Sequence, residues 1–466
     1  MKLTRRQVLA GAAASGLGAA GLYELVDRLT SSSKTVPRAE GRLQPEQHLL
    51  DGIALVRDNG IAVVVPPLHS AVVTARVATT DVRSAQQELE DALVALEQRY
   101  APTPAGLGVT VAWGLAYFHR YVPRQAGVHL PIDRRASRTK GHTVHALADA
   151  IRFPSDPAKT ILEDNDVAVL LRSDVREHIE DAERTLFHGS RILQVTSIRR
   201  GFVGSDFHSG PSLAKRMAQA AGVDGADLIP DDAELFLGFT STQHAALGPR
   251  RIANFETLGY VDLGPKSYFR NGTSMHVSHL FEDLASWYLT FDFQERVDTV
   301  FKPGLNVQPG TVTVSQGPSE SASAAAVRRD FRRQGRIGHS SSIQPTSRLD
   351  RDFVVEDGTV YRRGTAIPQR VDFNTLDNPF AWSAQPERDK MQDVPAAGIH
   401  FVVFNPTSDD FHRNRLAMDG VLPDGTRLPF GKRSRQQGFN AVLQTTHRQN
   451  FLVPPRRHRS FPLAEL

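Results

Sequence analysis

The chain holds 17 histidines, five methionines and no cysteine, and this narrows the chemistry it can carry. Without thiols there is no thiolate nucleophile, no cysteine-ligated iron–sulfur cluster and no zinc finger. A metal or haem iron would have to be held by His, Asp, Glu, Met or Tyr, so histidine is the ligand to look for. His339 stands in G-R-I-G-H-S-S-S-I-Q-P, which by itself reads as a loop histidine on a serine-rich surface. His276 and His279, in M-H-V-S-H, would share a face of a helix, as a metal pair requires, but would point to opposite faces of a strand. His142 and His145 repeat that spacing, and His400 alternates with Phe401 and Val402 as a core or pocket-lining residue would. The stretch L-G-F-T-S-T-Q-H-A-A-L-G-P-R-R, Leu237–Arg251, is a polar, turn-prone knot that puts Gly238, Phe239 and Ser241 in a loop. Asp231-Asp232 and Asp409-Asp410 fall at predicted helix starts, where the helix dipole accounts for them. Trp287 and Tyr288 read as packing aromatics. Neither G-x-x-x-x-G-K nor G-x-S-x-G occurs, and the one G-x-G-x-x-G, Gly16–Gly21, has no strand before it.

The elements that must position these residues alternate between strand and helix. I-A-V-V-V from Ile61 and A-V-V-T-A-R-V from Ala71 are β-branched and bounded by Gly, Pro and Thr, as strands are. Val82, Ala85, Leu89, Leu93, Leu96 and Tyr100 then lie on one helical face, with Thr80 as the expected N-cap. The phrase recurs: D-V-A-V-L-L is a strand, R-S-D-V-R-E its cap, and Val175, Ile179, Ala182 and Leu186 the next stripe. A third copy, I-H-F-V-V-F-N-P-T-S-D-D-F, turns into a helix near Ser408. Ser319–Ala326, low in complexity, reads as a surface loop entering a short helix. Strand–cap–helix units of this kind predict an α+β fold with helices packed on antiparallel sheets.

At 466 residues the chain is long for one compact domain and comfortable for two. Its formal net charge is +4 and its basic clusters are short, which argues against nucleic acid as a partner. Met1–Leu29 opens with Lys2, Arg5 and Arg6 followed by a weakly hydrophobic Ala/Gly/Leu run, and T-R-R-Q-V-L-A resembles a twin-arginine export signal. The run is short and rich in Gly and Ala for a membrane-spanning helix. The expected organisation is a signal or anchor over 1–30, a linker over 31–54, a first domain over 55–205, a linker over 206–235 and a second domain over 236–466. The translocase would be a partner and the location would be periplasmic, extracellular or anchored on the outer side.

The order of these pieces resembles the dye-decolourising (DyP-type) haem peroxidases over about residues 55–455. L-G-V-T-V-A-W-G-L-A-Y-F, D-N-D-V-A-V-L-L-R-S-D, I-R-R-G-F-V-G, A-G-I-H-F-V-V-F-N and F-L-V-P-P-R are similar to successive segments of that family. The resemblance implies two ferredoxin-like halves, haem b in the second, hydrogen peroxide and an electron donor of unspecified identity as partners, and possible homo-oligomers. It implies His339 as the iron ligand, and Arg362 in V-Y-R-R-G-T as the distal arginine; read by itself, Arg362 is half of an exposed pair at a strand end. The 23 positions between them and the Ser340-Ser341 step after the histidine depart from the family pattern. Gly238-Phe239-Thr240-Ser241-Thr242 falls where the family carries Gly-Phe-x-Asp-Gly, so Ser241 stands in the acid's place. A hydroxyl relays a hydrogen bond but is no carboxylate, which implies weak or altered peroxide chemistry. The alternatives are a protein of the same fold that binds without catalysis, or a haem carrier.

Overall fold

The computed structural model describes residues 19–30, 43–204, 212–239, 252–314, 323–355, 357–378, 395–430 and 435–466. The first half is built from β1 (His69–Val77), α2 (Val82–Arg99), β2 (Gly108–Trp113), β3 (Val167–Ser173), α3 (Arg176–Phe187) and β4 (Leu193–Phe202). Before them lies α1 (Ala19–Leu29). The second half is built from β5 (Thr273–Glu282), α4 (Leu284–Thr290), α5 (His339–Ser347), β6 (Gln369–Arg370), β7 (Phe373–Thr375), β8 (Gly398–Asn405), α6 (Ser408–Met418) and β9 (Leu443–Val453).

The strand order in space is β4-β1-β3-β2 in the first half, fourth, first, third, second along the chain. The second half repeats it as β9-β5-β8-β7. That is the βαββαβ ferredoxin-like order, so the expected α+β class with helices on antiparallel sheets is what the chain adopts. The two sheets are not separate. Asn374 of β7 pairs with Phe202 of β4, and Leu452 of β9 pairs with Trp113 of β2. One ten-stranded sheet therefore runs through both halves and closes where β5 meets β9. Val72, Ala112, Phe373, Phe404 and Phe451 fill its interior.

Local sequence accounts for the helices. α2 is capped by Asp81, whose carboxylate accepts from Ser84 N at 3.1 Å, one residue beyond the expected Thr80. Its buried face is Ala85, Leu89, Leu93 and Leu96, the stripe the sequence spacing predicts. α6 starts at Ser408 behind a capping box of Thr407 and Asp410. Within 206–235, expected as a linker, Leu213–Ala220 forms a helix that buries Leu213, Ala214, Met217 and Ala218.

The C-terminal part of the segment 1–30, expected as an export signal or anchor, packs into the fold. Tyr23 and Val26 of α1 are buried in the apolar cluster of the second half. The Tyr23 hydroxyl donates to Asp377 Oδ1 at 2.9 Å, and Asp27 meets His69 Nε2 at 2.7 Å. Arg5 and Arg6 lie outside the described residues. Among those described, no helix is long and apolar enough to cross a membrane.

Candidate functional site: a cavity between the second sheet and its helices

Two walls line a cavity of about 140 Å³, of the concave, mostly apolar kind in which proteins bind small ligands. The sheet wall presents Ser278, Leu280 and Glu282 of β5, Ile399, Phe401 and Val403 of β8, and Arg370 of β6. Alternation along a strand puts these residues on one face, and leaves His279 and His400 on the other. The helical wall includes His339 and Ile343 of α5 and Arg415 and Met418 of α6, with Phe239 and Phe439 at its edges. Most of the lining is aliphatic or aromatic.

His339 is the first residue of α5. Gly338 before it must be glycine, because a Cβ there would lie 2.4 Å from Phe301 O and 2.8 Å from Asp298 O. The serines that follow are not a surface patch: Ser340, Ser341 and Ser342 are buried. Ser341 N donates to Phe301 O at 2.9 Å, and the Ser342 hydroxyl to His339 O at 2.8 Å. This first turn is pinned to the residues beneath it. The imidazole packs against Phe439 at 4.3 Å between ring centres, and its Nδ1 is buried with no hydrogen-bond partner. Burial, helped by the guanidinium groups of Arg370 and Arg415, pushes its pKa down to about 3. His339 is therefore an uncharged imidazole at any physiological pH.

The arginines are held by carboxylates. Arg370 makes two hydrogen bonds to Asp372, at 2.9 and 2.6 Å, and lies over Phe401. Arg448 makes two to Asp156, at 2.8 and 3.0 Å, and burial lowers its pKa to about 10. Arg415 bridges Asp156 and Asp419, and both Arg415 and Arg448 stack over Phe153. Three guanidinium groups against three aspartates leave the polar part of the lining close to neutral.

Of the residues singled out in the sequence, His339 and Phe239 line this cavity and Arg362 does not. Arg362 sits on a hairpin of Phe353–Val354 with Val360–Tyr361, its side chain 77% exposed and bonded to Asp352 at 2.5 Å. The exposed-pair reading of Arg362 describes its position, because a two-strand hairpin outside the main sheet carries it away from the cavity. Arg370, eight residues on, is the arginine of the sheet wall. Phe239 is buried against Phe301, with ring centres 5.2 Å apart. Gly238 has φ +82°, and a Cβ there would approach Tyr288 Oη to 2.7 Å, so the turn into the loop needs glycine. Trp287 Nε1 donates to Leu237 O at 3.0 Å and Tyr288 Oη to Phe236 O at 2.6 Å; these packing aromatics fix the loop's entrance. Ser241 and Thr242 lie outside the described residues.

The remaining histidines are structural in their surroundings. His276 stacks on Phe411 at 3.4 Å and bonds Asn450 and Ser278, while His279 faces His400 across the strand pair. Among the described residues no group of three or more His, Cys, Asp or Glu could hold a free metal ion. An uncharged imidazole on the wall of a mostly apolar cavity is, however, a donor set that fits haem iron.

The model of the Family of unknown function (DUF7405) matches residues 67–455. The chain belongs to this family. No curated protein matches the sequence. Its fold is similar to several solved structures. One is the encapsulated DyP-type peroxidase from Mycobacterium smegmatis, at 12% identity and TM-score 0.47, covering 85% of this chain and 95% of that one. Another is a DypB variant of Rhodococcus jostii RHA1 in complex with heme, at 13% identity and TM-score 0.45, with coverages of 85% and 96%. A third is a DyP-type peroxidase protein from Shewanella oneidensis, at 13% identity and TM-score 0.47, with coverages of 84% and 94%.

Proposed function

We propose that this chain binds haem b through His339 and acts as an oxidoreductase on hydrogen peroxide, with an electron donor of unspecified identity. One observation carries the reading. The cavity pairs a mostly apolar lining with an imidazole that is uncharged and has an orphaned Nδ1. Bound haem would supply the electron-transfer chemistry. His339 would hold its iron from the head of α5, the leucines and phenylalanines of both walls would exclude water, and Arg370 would set a positive charge on the sheet wall of the cavity. Arg370 takes the role that the sequence resemblance implied for Arg362. Ser241, two residues after Phe239 in the sequence, would relay a hydrogen bond without acting as an acid. The test is the visible spectrum of protein expressed with haem supplied, beside His339→Ala. A Soret band in the parent that the variant lacks supports ligation; a folded, colourless parent that refuses added haem contradicts it.

A second reading, a haem carrier with little peroxide turnover, is favoured by the Arg370–Asp372 pair, since that guanidinium already holds two hydrogen bonds to a carboxylate. Peroxide turnover by the haem-loaded protein separates the two.

We also propose export by the twin-arginine route, from the T-R-R-Q-V-L-A segment. The burial of Tyr23 and Val26 favours export with α1 retained, so any cleavage would fall before Ala19. The intact mass of exported protein tests this: loss of Tyr23 from the mature chain would contradict it, as would unchanged export of a protein with Arg5 and Arg6 both replaced by lysine.

A further inference from the structure

Among the described residues that line the cavity, Glu282 is the only carboxylic acid. It ends β5 on the face that carries Ser278 and Leu280. The residue is 3% exposed and its Oε2 is buried with no hydrogen-bond partner among the described residues. Its neighbour shows the contrast. Asp283 caps α4, accepting from Ser286 N at 3.0 Å and from the Ser286 hydroxyl at 2.7 Å. Two consecutive acids thus have different surroundings: one holds a helix end, and the other buries a carboxylate oxygen without a partner.

We propose that Glu282 is the acid–base group of this cavity, exchanging a proton with hydrogen peroxide held between the sheet wall and the helical wall. The inference rests on the haem and peroxide reading above. Its ionised carboxylate takes the proton of one peroxide oxygen, leaving a hydroperoxide anion and a neutral carboxylic acid. The neutral acid then gives that proton back. No electron changes hands in either transfer, and the carboxylate is regenerated.

The surroundings suit this task. Burial first, and then the charge of Asp372, push the Glu282 carboxyl up to about 8, close to the pH at which such a group works best. Asp372 is itself paired with Arg370. On the α4 side stands Tyr288, whose hydroxyl is held well above its ordinary pKa by its own burial and so carries no charge. The group can therefore pass between neutral and ionised forms without a fixed cation locking it as a carboxylate. It also supplies from β5 the acid that Ser241 cannot.

The test compares the full-length parent with Glu282→Gln, with and without haem. A carboxyl raised from its ordinary value is favoured in the folded state when neutral, so it costs the parent stability as pH rises from about 4.5 to about 8. The variant should accordingly gain melting temperature over the parent across that window, in the haem-free chain. Haem uptake should be unchanged. The second-order rate with peroxide should rise through pH 8 in the parent and, in the variant, be about 100-fold to 10,000-fold lower without that rise. Loaded parent and variant with equal peroxide rates and the same pH profile would overturn the role of Glu282 alone. A parent that takes up no haem would overturn the haem reading and this proposal with it.

Discussion

The two halves share one strand order and differ in what their helices lay on the sheet. In the first half α2 and α3 contribute Leu89, Leu93, Leu96, Ile179 and Leu186, which pack directly on Val73, Val111 and Val169. Trp113, Tyr117 and Phe461 close the packing with ring centres 4.3 and 4.8 Å from the indole. In the second half α5 and α6 bring His339, Ile343, Asn414, Arg415 and Met418 to a cavity over the sheet. The same scaffold thus yields a filled core on one side and a lined cavity on the other. The fold alone says nothing about chemistry; the residues on two short helices do.

The comparison can be broken most severely at the ion pairs behind the cavity. Asp156→Asn would strip Arg448 and Arg415 of a shared buried partner, and the expected cost in chemical denaturation is about 3–5 kcal/mol. In the filled half, Leu93→Ala should cost about 2–5 kcal/mol while leaving haem affinity as in the parent. A loss of haem binding there would mean that the halves are not functionally distinct. Tyr23→Phe removes the hydroxyl that Asp377 and Thr375 share, with an expected loss of about 1–3 kcal/mol in thermal or chemical unfolding.

Acid should distinguish the halves without a mutation. His276, His279, His339, His400 and His412, all of the second half, have pKa values lowered mainly by burial. Their unfolded forms bind protons from about 6.5 downwards while the native forms resist. Stability is thus full above about 6.5 and lost as pH falls below it. Amide exchange on acidification to about pH 5 should open β5, β8 and α5 before β1 and β3, and uniform opening would contradict the assignment. The smallest effect is expected at Arg362→Ala, within about 0.5 kcal/mol in stability and without influence on haem uptake.

The sequence made the architecture more legible than the site. Alternating runs such as D-V-A-V-L-L and the 3.6-residue stripe of α2 are local signals, and the structure follows them to within a residue or two at their ends. His339 was singled out through the family resemblance, and no local pattern in G-R-I-G-H-S-S-S marks it as lining a cavity. Arg370 was not. It lies in a strand of two residues, and nothing nearby distinguishes it from the Arg362-Arg363 pair that the family resemblance favoured. Glu282 was hidden for another reason: in F-E-D-L it reads as half of a helix-capping pair, and only the tertiary packing shows that Asp283 alone does the capping. The cavity comes from contacts among segments more than a hundred residues apart, which no local pattern encodes.

The most direct test of the account is a haem titration of the parent and of His339→Ala, followed at the Soret band with far-ultraviolet dichroism as the check on folding. The account expects one haem per parent chain and none in a variant that remains folded. A variant that binds haem as the parent does, or a folded parent that binds none, would contradict it.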